Sequence, residues 1–139
     1  MTTPLVALVL LSLMTGTAMA QQAKAPEAKA PQAKVTSLMS KDLPESPGKE
    51  ALMITVVYPP GSSDPVHRHN ADAFVYVLEG SIVMQVRGEK EVTLTPGQTF
   101  YEGPTDVHVV GRNASQTKPA KFVVFLVKEK GAPALIPAN

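Results

Sequence analysis

The sequence predicts an all-β domain, and two observations support this prediction. Segments rich in valine, isoleucine, threonine and tyrosine alternate with turns that contain glycine or proline, roughly every eight to twelve residues. No stretch carries the apolar periodicity of a long helix. The predicted strands cover residues 35–39, 51–58, 74–78, 81–87, 91–95, 99–101, 107–110 and 122–127.

Residues 1–20 have the pattern of a secretory signal peptide. Residues 5–14 are apolar but too few to span a bilayer as a helix, and Ala18-Met19-Ala20 offers the small residues of a cleavage site. No lysine or arginine precedes the apolar run. We expect cleavage after Ala20, a periplasmic or secreted protein, and no stable membrane anchor afterwards. A retained anchor or a buried terminal strand is the alternative.

Residues 21–34 form an Ala/Lys/Pro-rich segment, QQAKAPEAKAPQAK, that contains a near-repeat. Its side chains can bury little surface, so we predict a disordered linker. The alternative is a basic arm for an acidic partner, which three lysines against one glutamate support only weakly. Residues 35–139 then form a single domain.

Composition excludes several classes of function. The whole chain has a formal net charge of +1, without a basic stripe and with 5% aromatic residues, so no nucleic-acid partner is expected. It has no cysteine, which excludes disulfides, thiolate nucleophiles and thiolate metal sites.

Two predicted strands, 74–78 and 122–127, are apolar at nearly every position, which is typical of strands covered on both faces. One face would line the interior of the domain. The other requires either the strand at 35–39 or a second subunit, and we expect a homodimer. The alternative is a monomer whose own terminal segments, including Leu135-Ile136, close the outer face.

The histidines predict a metal site. His67 and His69 are two residues apart, so on a strand their side chains point the same way, while Arg68 points outward. His108, the remaining histidine, follows a stretch with glycine and proline from which a returning strand can bring it back. Three neutral imidazoles bind iron, manganese, zinc, nickel or copper and leave positions open for water or substrate.

The spacing of these residues resembles the two motifs of the cupin family. The first motif runs over residues 61–80, with five residues between Gly61 and His67, and the second runs over residues 97–113. The resemblance covers residues 53–127 and is to a small single-domain cupin of type 2, with an RmlC-like jelly roll. It implies a double-stranded β-helix barrel, usually dimeric, with one divalent metal held between the motifs.

The first motif departs from the family pattern in its carboxylate. Many cupins carry, as a fourth ligand, a glutamate separated from the second histidine by three or four residues, but this chain has Ala73 and Phe74 there. Asp72 is one position early, which places it on the opposite face of a strand. Glu102 ends a predicted strand; it is either an inward ligand or general base, or an exposed acid paired with a surface lysine.

The second motif departs from the pattern in its turn and its end. Gly103 and Thr105 stand where a proline and a glycine are usual, and the usual asparagine aligns with Arg112, one residue before Asn113. We therefore expect a different loop shape near the site.

Five further residues are candidates for the pocket. Tyr101 and Gln85 could hydrogen-bond a ligand, while Phe100, Met84 and Tyr76 could form its apolar wall. Packing in the core is the alternative for each of them.

The resemblance implies a metal-dependent enzyme acting on a small organic molecule, either dioxygenase-like or an isomerase or lyase, with Glu102 as the candidate catalytic residue. The main alternative is a non-catalytic periplasmic module that binds a metal, a sugar or another small ligand. A metal-free structural barrel is the third possibility. Family resemblance alone does not choose the reaction.

Overall fold

A computed structural model describes residues 31–139 of the chain. The predicted signal peptide and residues 21–30 of the predicted linker lie outside the described residues. Within them the protein is all β, with ten strands and no helix. Accordingly, the described part contains no helix long and apolar enough to cross a membrane.

Each of the eight predicted strands is present, with ends that differ by a few residues. Two further strands of two residues each, one carrying His67 and one near the C-terminus, were not among the predicted segments. The strands are β1 (Lys34–Asp42), β2 (Lys49–Tyr58), β3 (His67–Arg68), β4 (Ala71–Glu79), β5 (Ile82–Val86), β6 (Val92–Leu94), β7 (Thr99–Glu102), β8 (His108–Asn113), β9 (Ala120–Glu129) and β10 (Ile136–Pro137).

The strands form two five-stranded antiparallel sheets that pack on each other as a jelly roll. The first sheet has the order β1-β2-β9-β4-β7 and the second has the order β10-β3-β8-β5-β6. Alternate residues of β2, β4 and β9 point into the space between the sheets, where they meet side chains from β5. The largest buried apolar side chains there include Tyr58, Val77, Ile82, Met84 and Leu126.

The described terminal segments do not cover the outer face of the first sheet. Phe74, Tyr76 and Leu78 of β4 are 48%, 47% and 39% exposed. β1 continues this sheet at its edge beside β2, and β10 belongs to the other sheet. The alternative in which terminal segments close the outer face is therefore wrong for the described residues, because both segments extend sheets instead of lying over one.

A β-bulge in β8 places its polar residues. Val86 pairs with His108 while Gln85 pairs with Val110, so one strand holds an extra residue at this point. In a regular strand, the odd sequence separation of His108 and Asn113 would place them on opposite faces. With the extra residue, both side chains are buried. The amide of Asn113 donates hydrogen bonds to the backbone carbonyls of Tyr58, Pro59 and Lys118.

Candidate metal centre

The histidine pair is oriented by two backbone carbonyls. The Nδ1 of His67 lies 2.8 Å from the carbonyl oxygen of Pro65, and the Nδ1 of His69 lies 2.6 Å from that of Ala134. A carbonyl only accepts hydrogen bonds, so both rings donate from Nδ1. In the neutral rings this leaves a lone pair on each Nε2, which is the arrangement a metal ligand needs.

His108 completes a group of three histidines. It pairs with His67 across β3 and β8, and its Nδ1 lies 3.2 Å from the Nε2 of His67. The ring centroid of His67 is 4.7 Å from that of His108 and 5.0 Å from that of His69. The structure thus brings together the three histidines that the sequence singled out.

Glu102 enters the same group from the last position of β7. Its Oε2 lies 3.3 Å from the Nε2 of His69 and 3.4 Å from the Nδ1 of His108. This oxygen is buried and makes no hydrogen bond, so its contacts with the two rings are electrostatic. The reading of Glu102 as an exposed acid is wrong, because Tyr101 takes the outward position of the strand end.

The register of the sheet explains how Glu102 compensates for the missing carboxylate. Ala73 of β4 pairs directly with Glu102 of β7. Ala73 is fully buried. Side chains of directly opposed residues start about 5 Å apart. The carboxylate therefore reaches the cluster from the neighbouring strand, opposite the position where the resemblance led us to expect it.

One donor atom from each of His67, His69, Glu102 and His108 lies within 4.8 Å of the others. A buried carboxylate oxygen without a hydrogen-bond partner is costly unless a cation balances it. Three imidazoles and one carboxylate suit zinc and the other divalent metals that accept nitrogen and oxygen ligands. The cluster could therefore hold a metal ion.

The charges in this cluster influence one another. Burial alone would raise the pKa of Glu102, but His69 and His108 hold it below its ordinary value. Burial would lower the pKa of His69, but Glu102 outweighs that effect and raises it. For His108 burial dominates and lowers the pKa, against the influence of Glu102. In the metal-free protein Glu102 thus favours the protonated form of His69, while burial disfavours the protonated form of His108.

A cavity of about 130 Å³ adjoins the cluster inside the barrel. Ala134 and Leu135 contribute to its wall from the C-terminal segment, as does Val35 from β1. Most of the remaining wall is apolar and includes Ile54, Val56, Val75, Met84 and Phe122. The four candidate ligands therefore face a partly open, mainly apolar space.

Of the five predicted pocket residues, Met84 lines this cavity. Phe100 is half-buried against the core, with its ring centroid 6.4 Å from that of His108, but it does not line the cavity. The prediction that Phe100 forms part of the cavity wall is corrected, because Glu102, on the same side of β7, lies closer to the cluster.

Tyr76, Gln85 and Tyr101 also lie outside the cavity, and their predicted pocket roles are corrected. Tyr76 and Tyr101 occupy outward positions of β4 and β7, where the hydroxyl of Tyr101 donates to Asp72 at 2.6 Å. Gln85 occupies the outward side of β5, and its amide donates to the carbonyl of Glu89 at 2.8 Å. A strand exposes every second residue, so a shift of one position reverses the face.

The sequence analysis did not predict the polar pair of the cavity, Tyr58 and Asp64. Tyr58 is fully buried, and its hydroxyl donates a hydrogen bond to the carboxylate of Asp64. Burial, together with the negative charge of Asp64, raises the pKa of this phenol. The alternation of buried residues along β2 could have indicated the position of Tyr58, because it is two residues beyond Val56 and points inward like Val56.

The carbonyl that orients His69 belongs to a segment held by a buried ion pair. Lys128 is 3% exposed; its ammonium contacts the carboxylate of Glu50 and donates to the carbonyl of Ala132. Two residues further on, Ala134 accepts the hydrogen bond from His69. Such outer contacts fix the orientation of a metal ligand.

Comparison with known proteins identifies the family. A family model described as a cupin domain matches residues 54–126, which is more than half of the chain. The protein belongs to the cupin family. A search of curated proteins gave no match.

Solved structures share the fold at low sequence identity. A Klebsiella pneumoniae protein with a double-stranded β-helix domain is 15% identical, with a TM-score of 0.61 over 80% of this cupin and 90% of that chain. An oxalate oxidase in complex with the substrate analogue glycolate is 24% identical, with a TM-score of 0.58 over 75% of this chain and 54% of that one.

The DMSP lyase DddQ from Ruegeria pomeroyi is 20% identical, with a TM-score of 0.56 over 63% of this cupin. The match spans 43% of the length of the lyase. At these identities the solved structures show the shared fold and leave the reaction open.

Proposed function

We propose that this cupin is an exported enzyme that uses one divalent metal ion to act on a small organic molecule. The observation that carries the proposal is the convergence of His67, His69, Glu102 and His108 at the wall of a mainly apolar cavity. Iron, manganese, zinc, nickel and copper are the candidate metals. The reaction would be dioxygenase-like, or an isomerisation or elimination.

The positions of the side chains support Glu102 as a ligand more than as a free general base. Its Oε2 points at the ring nitrogens of His69 and His108. When bound, the metal supplies Lewis acidity or activates oxygen. The protein's own residues hold the ligands in place and surround the substrate with apolar side chains, which exclude water from the cavity.

The structural neighbours support small-molecule chemistry without choosing the reaction. One is a DMSP lyase and another an oxalate oxidase, so the same fold carries an elimination in one protein and an oxidation in the other. Both are below 25% identity. An assay therefore has to cover both classes of reaction.

The first test is the metal content and activity of the chain from Gln21, produced without a histidine tag. About one equivalent of iron, copper, nickel or manganese, followed by oxygen consumption on a diol or polyphenol, would support an oxidase or dioxygenase. About one equivalent of zinc would direct the assays to lyase and isomerase substrates. Absence of bound metal after reconstitution would contradict the metal-dependent enzyme.

A non-catalytic binding module is the second candidate. It is favoured by the use of Glu102 as a ligand, since this leaves the cluster without a separate carboxylate base. A metal-loaded protein that binds small molecules but turns over none of the oxidase, lyase and isomerase substrates would favour this candidate.

Export is supported by the pattern of residues 1–20. The test is N-terminal sequencing of the protein from a periplasmic fraction. The proposal predicts that the mature chain begins at Gln21, and an uncleaved chain that fractionates with membranes would contradict it.

We also propose a homodimer that uses the outer face of the first sheet. Phe74, Tyr76, Leu78 and Tyr101 are exposed there, and the ring of Phe74 lies 5.2 Å from that of Tyr101 between centroids. Contiguous apolar surface of this kind marks interfaces.

Sedimentation of the wild type and of a Phe74→Asp variant tests the dimer. We expect twice the monomer mass for the wild type and the monomer mass for the variant. Val92→Asp, at an exposed apolar position on the other sheet, is the matched control and should remain dimeric. A monomeric wild type at about 100 μM would contradict the proposal.

A further inference from the structure

The cavity contains a second polar pair beside the candidate ligands. Tyr58 and Asp64 both line it, and the phenol gives its single hydrogen to the carboxylate of Asp64. The raised pKa of Tyr58 keeps this hydrogen in place. Toward a ligand, both side chains can therefore act only as hydrogen-bond acceptors.

This acceptor pair is fixed close to the cluster. The hydroxyl of Tyr58 and the Cε1 of His108 lie 3.0 Å and 2.9 Å from the point where a Cβ at residue 111 would stand. Gly111 thus leaves the space in which the two rings approach each other. The backbone of Gly111 also holds the loop, since its carbonyl accepts the N–H of Asp64 at 2.7 Å.

Apart from the histidines, the ionisable side chains with a formal charge in the cavity are acids. Among the described residues that line it, the acids are Asp64 and Glu102, and none is a lysine or arginine. A divalent ion in the cluster would balance these two carboxylates. An anionic ligand would then bring uncompensated negative charge next to Asp64 in a mainly apolar space, where charge repulsion is stronger than in water.

We propose that the cavity takes small uncharged or cationic molecules that present a hydrogen-bond donor, and that Asp64 sets this specificity by repelling anions. The proposal rests on the proposed function, because the ligand site is the cavity beside the metal cluster. The ligand's donor group would meet Asp64 and Tyr58, and its apolar body would pack on Val56, Met84 and Phe122.

Three probes with the same carbon skeleton test this specificity: butylammonium, butanamide and butanoate. Each is titrated into the metal-loaded chain with 13C-labelled methionine methyl groups, and the Met84 methyl signal, assigned with Met84→Leu, reports binding. We expect butylammonium and butanamide to bind at least about tenfold more tightly than butanoate. The variant Asp64→Asn should reduce this ratio to about threefold or less by strengthening butanoate binding.

Glu91→Gln is the matched control. It removes a carboxylate that does not line the cavity, so it should retain the preference against butanoate. If Asp64→Asn does not fold, the ratio of probe affinities in the wild type and in the control variant tests the proposal. Butanoate binding as tightly as butanamide, or no saturable change with any probe, would overturn the proposal.

The metal content of each sample separates this proposal from the proposed function. A sample without metal that still prefers butylammonium and butanamide over butanoate would support the specificity of Asp64 and contradict the metal-dependent enzyme. A metal-loaded sample that prefers butanoate would support the metal site and overturn the role of Asp64.

Discussion

Replacing Glu102 with glutamine is the sharpest test of the metal centre, because it keeps the size of the side chain and removes its charge. In the structure the buried Oε2 of Glu102 lies 3.3 Å and 3.4 Å from two histidine nitrogens and has no hydrogen-bond partner. If this oxygen ligates the metal, Glu102→Gln should weaken metal binding. If Glu102 is only a base, metal content should not change.

The size of the effect follows from the number of ligands. Four-ligand zinc sites contribute about 10–16 kcal/mol in small peptides, so an equal share per ligand is about 2.5–4 kcal/mol. Since each 1.4 kcal/mol is a factor of about ten, we expect zinc affinity to fall by about 100-fold to 1,000-fold. Competition with a fluorescent zinc chelator at pH 7.5 measures this change.

Two further variants, a control and a rescue, are needed to interpret the result. Glu91→Gln changes an exposed glutamate that pairs with Arg112 on the surface, and it should leave zinc affinity unchanged. The double variant Ala73→Glu, Glu102→Ala moves the carboxylate to the directly opposed position on β4 and should recover most of the lost affinity. Unaltered affinity in Glu102→Gln would refute the assignment of Glu102 as a ligand.

Three further predictions concern the same centre. Replacing both His67 and His69 with alanine should abolish metal retention while circular dichroism still shows a folded β protein, since the apolar core between the sheets supplies most of the stability; an unfolded variant would mean that the metal is structural. In the metal-free protein, Glu102→Gln should lower the pKa of His69, measured from its Cε1 proton by NMR. Because Glu102 raises that pKa, the ion pair stabilises the metal-free fold at lower pH, and this stabilisation is lost as the pH rises through the pKa of His69. The variant should therefore lose more thermal stability at pH 6 than at pH 8.5. An equal loss at both pH values would contradict the pairing. Gly111→Ala should cost about 1–3 kcal/mol in urea unfolding and weaken zinc binding, because its Cβ would meet the His108 ring at 2.9 Å. Gly97→Ala is the control: it is strained by the φ of +89° at a turn that does not line the cavity, so it should cost stability but leave zinc binding intact.

The strands and the histidine pair were predictable because they depend on local patterns. Glycine and proline mark the turns, and the spacing of two residues between His67 and His69 fixes their common direction on an extended segment. The position of His108 followed from the family resemblance. None of these signals depends on the register between strands.

Glu102, Tyr76 and Tyr101 show where the sequence was insufficient. Glu102 precedes a turn at Gly103 and Pro104, so its direction depends on how the strand ends, and its pairing with Ala73 is visible only once the sheet is assembled. Tyr76 and Tyr101 were assigned to the pocket by residue type, but both occupy outward positions. The apolar character of β4 on both faces does not tell which face encloses the cavity.

The β-bulge in β8 was likewise not predictable from the sequence. Asn113 is one position beyond the usual end of the second motif, which suggested an altered loop. The structure absorbs the additional residue next to His108, so that the amide of Asn113 still reaches the carbonyls of the loop after β2. A bulge costs little in local sequence preference and therefore leaves little trace in the sequence.

The most direct test of the metal centre is an anomalous difference map from a crystal of the protein reconstituted with zinc. We predict one peak per chain within about 2.3 Å of a nitrogen of each of His67, His69 and His108 and of a carboxylate oxygen of Glu102. A peak ligated by the histidines with Glu102 turned away, or zinc bound only elsewhere, would contradict the four-residue site.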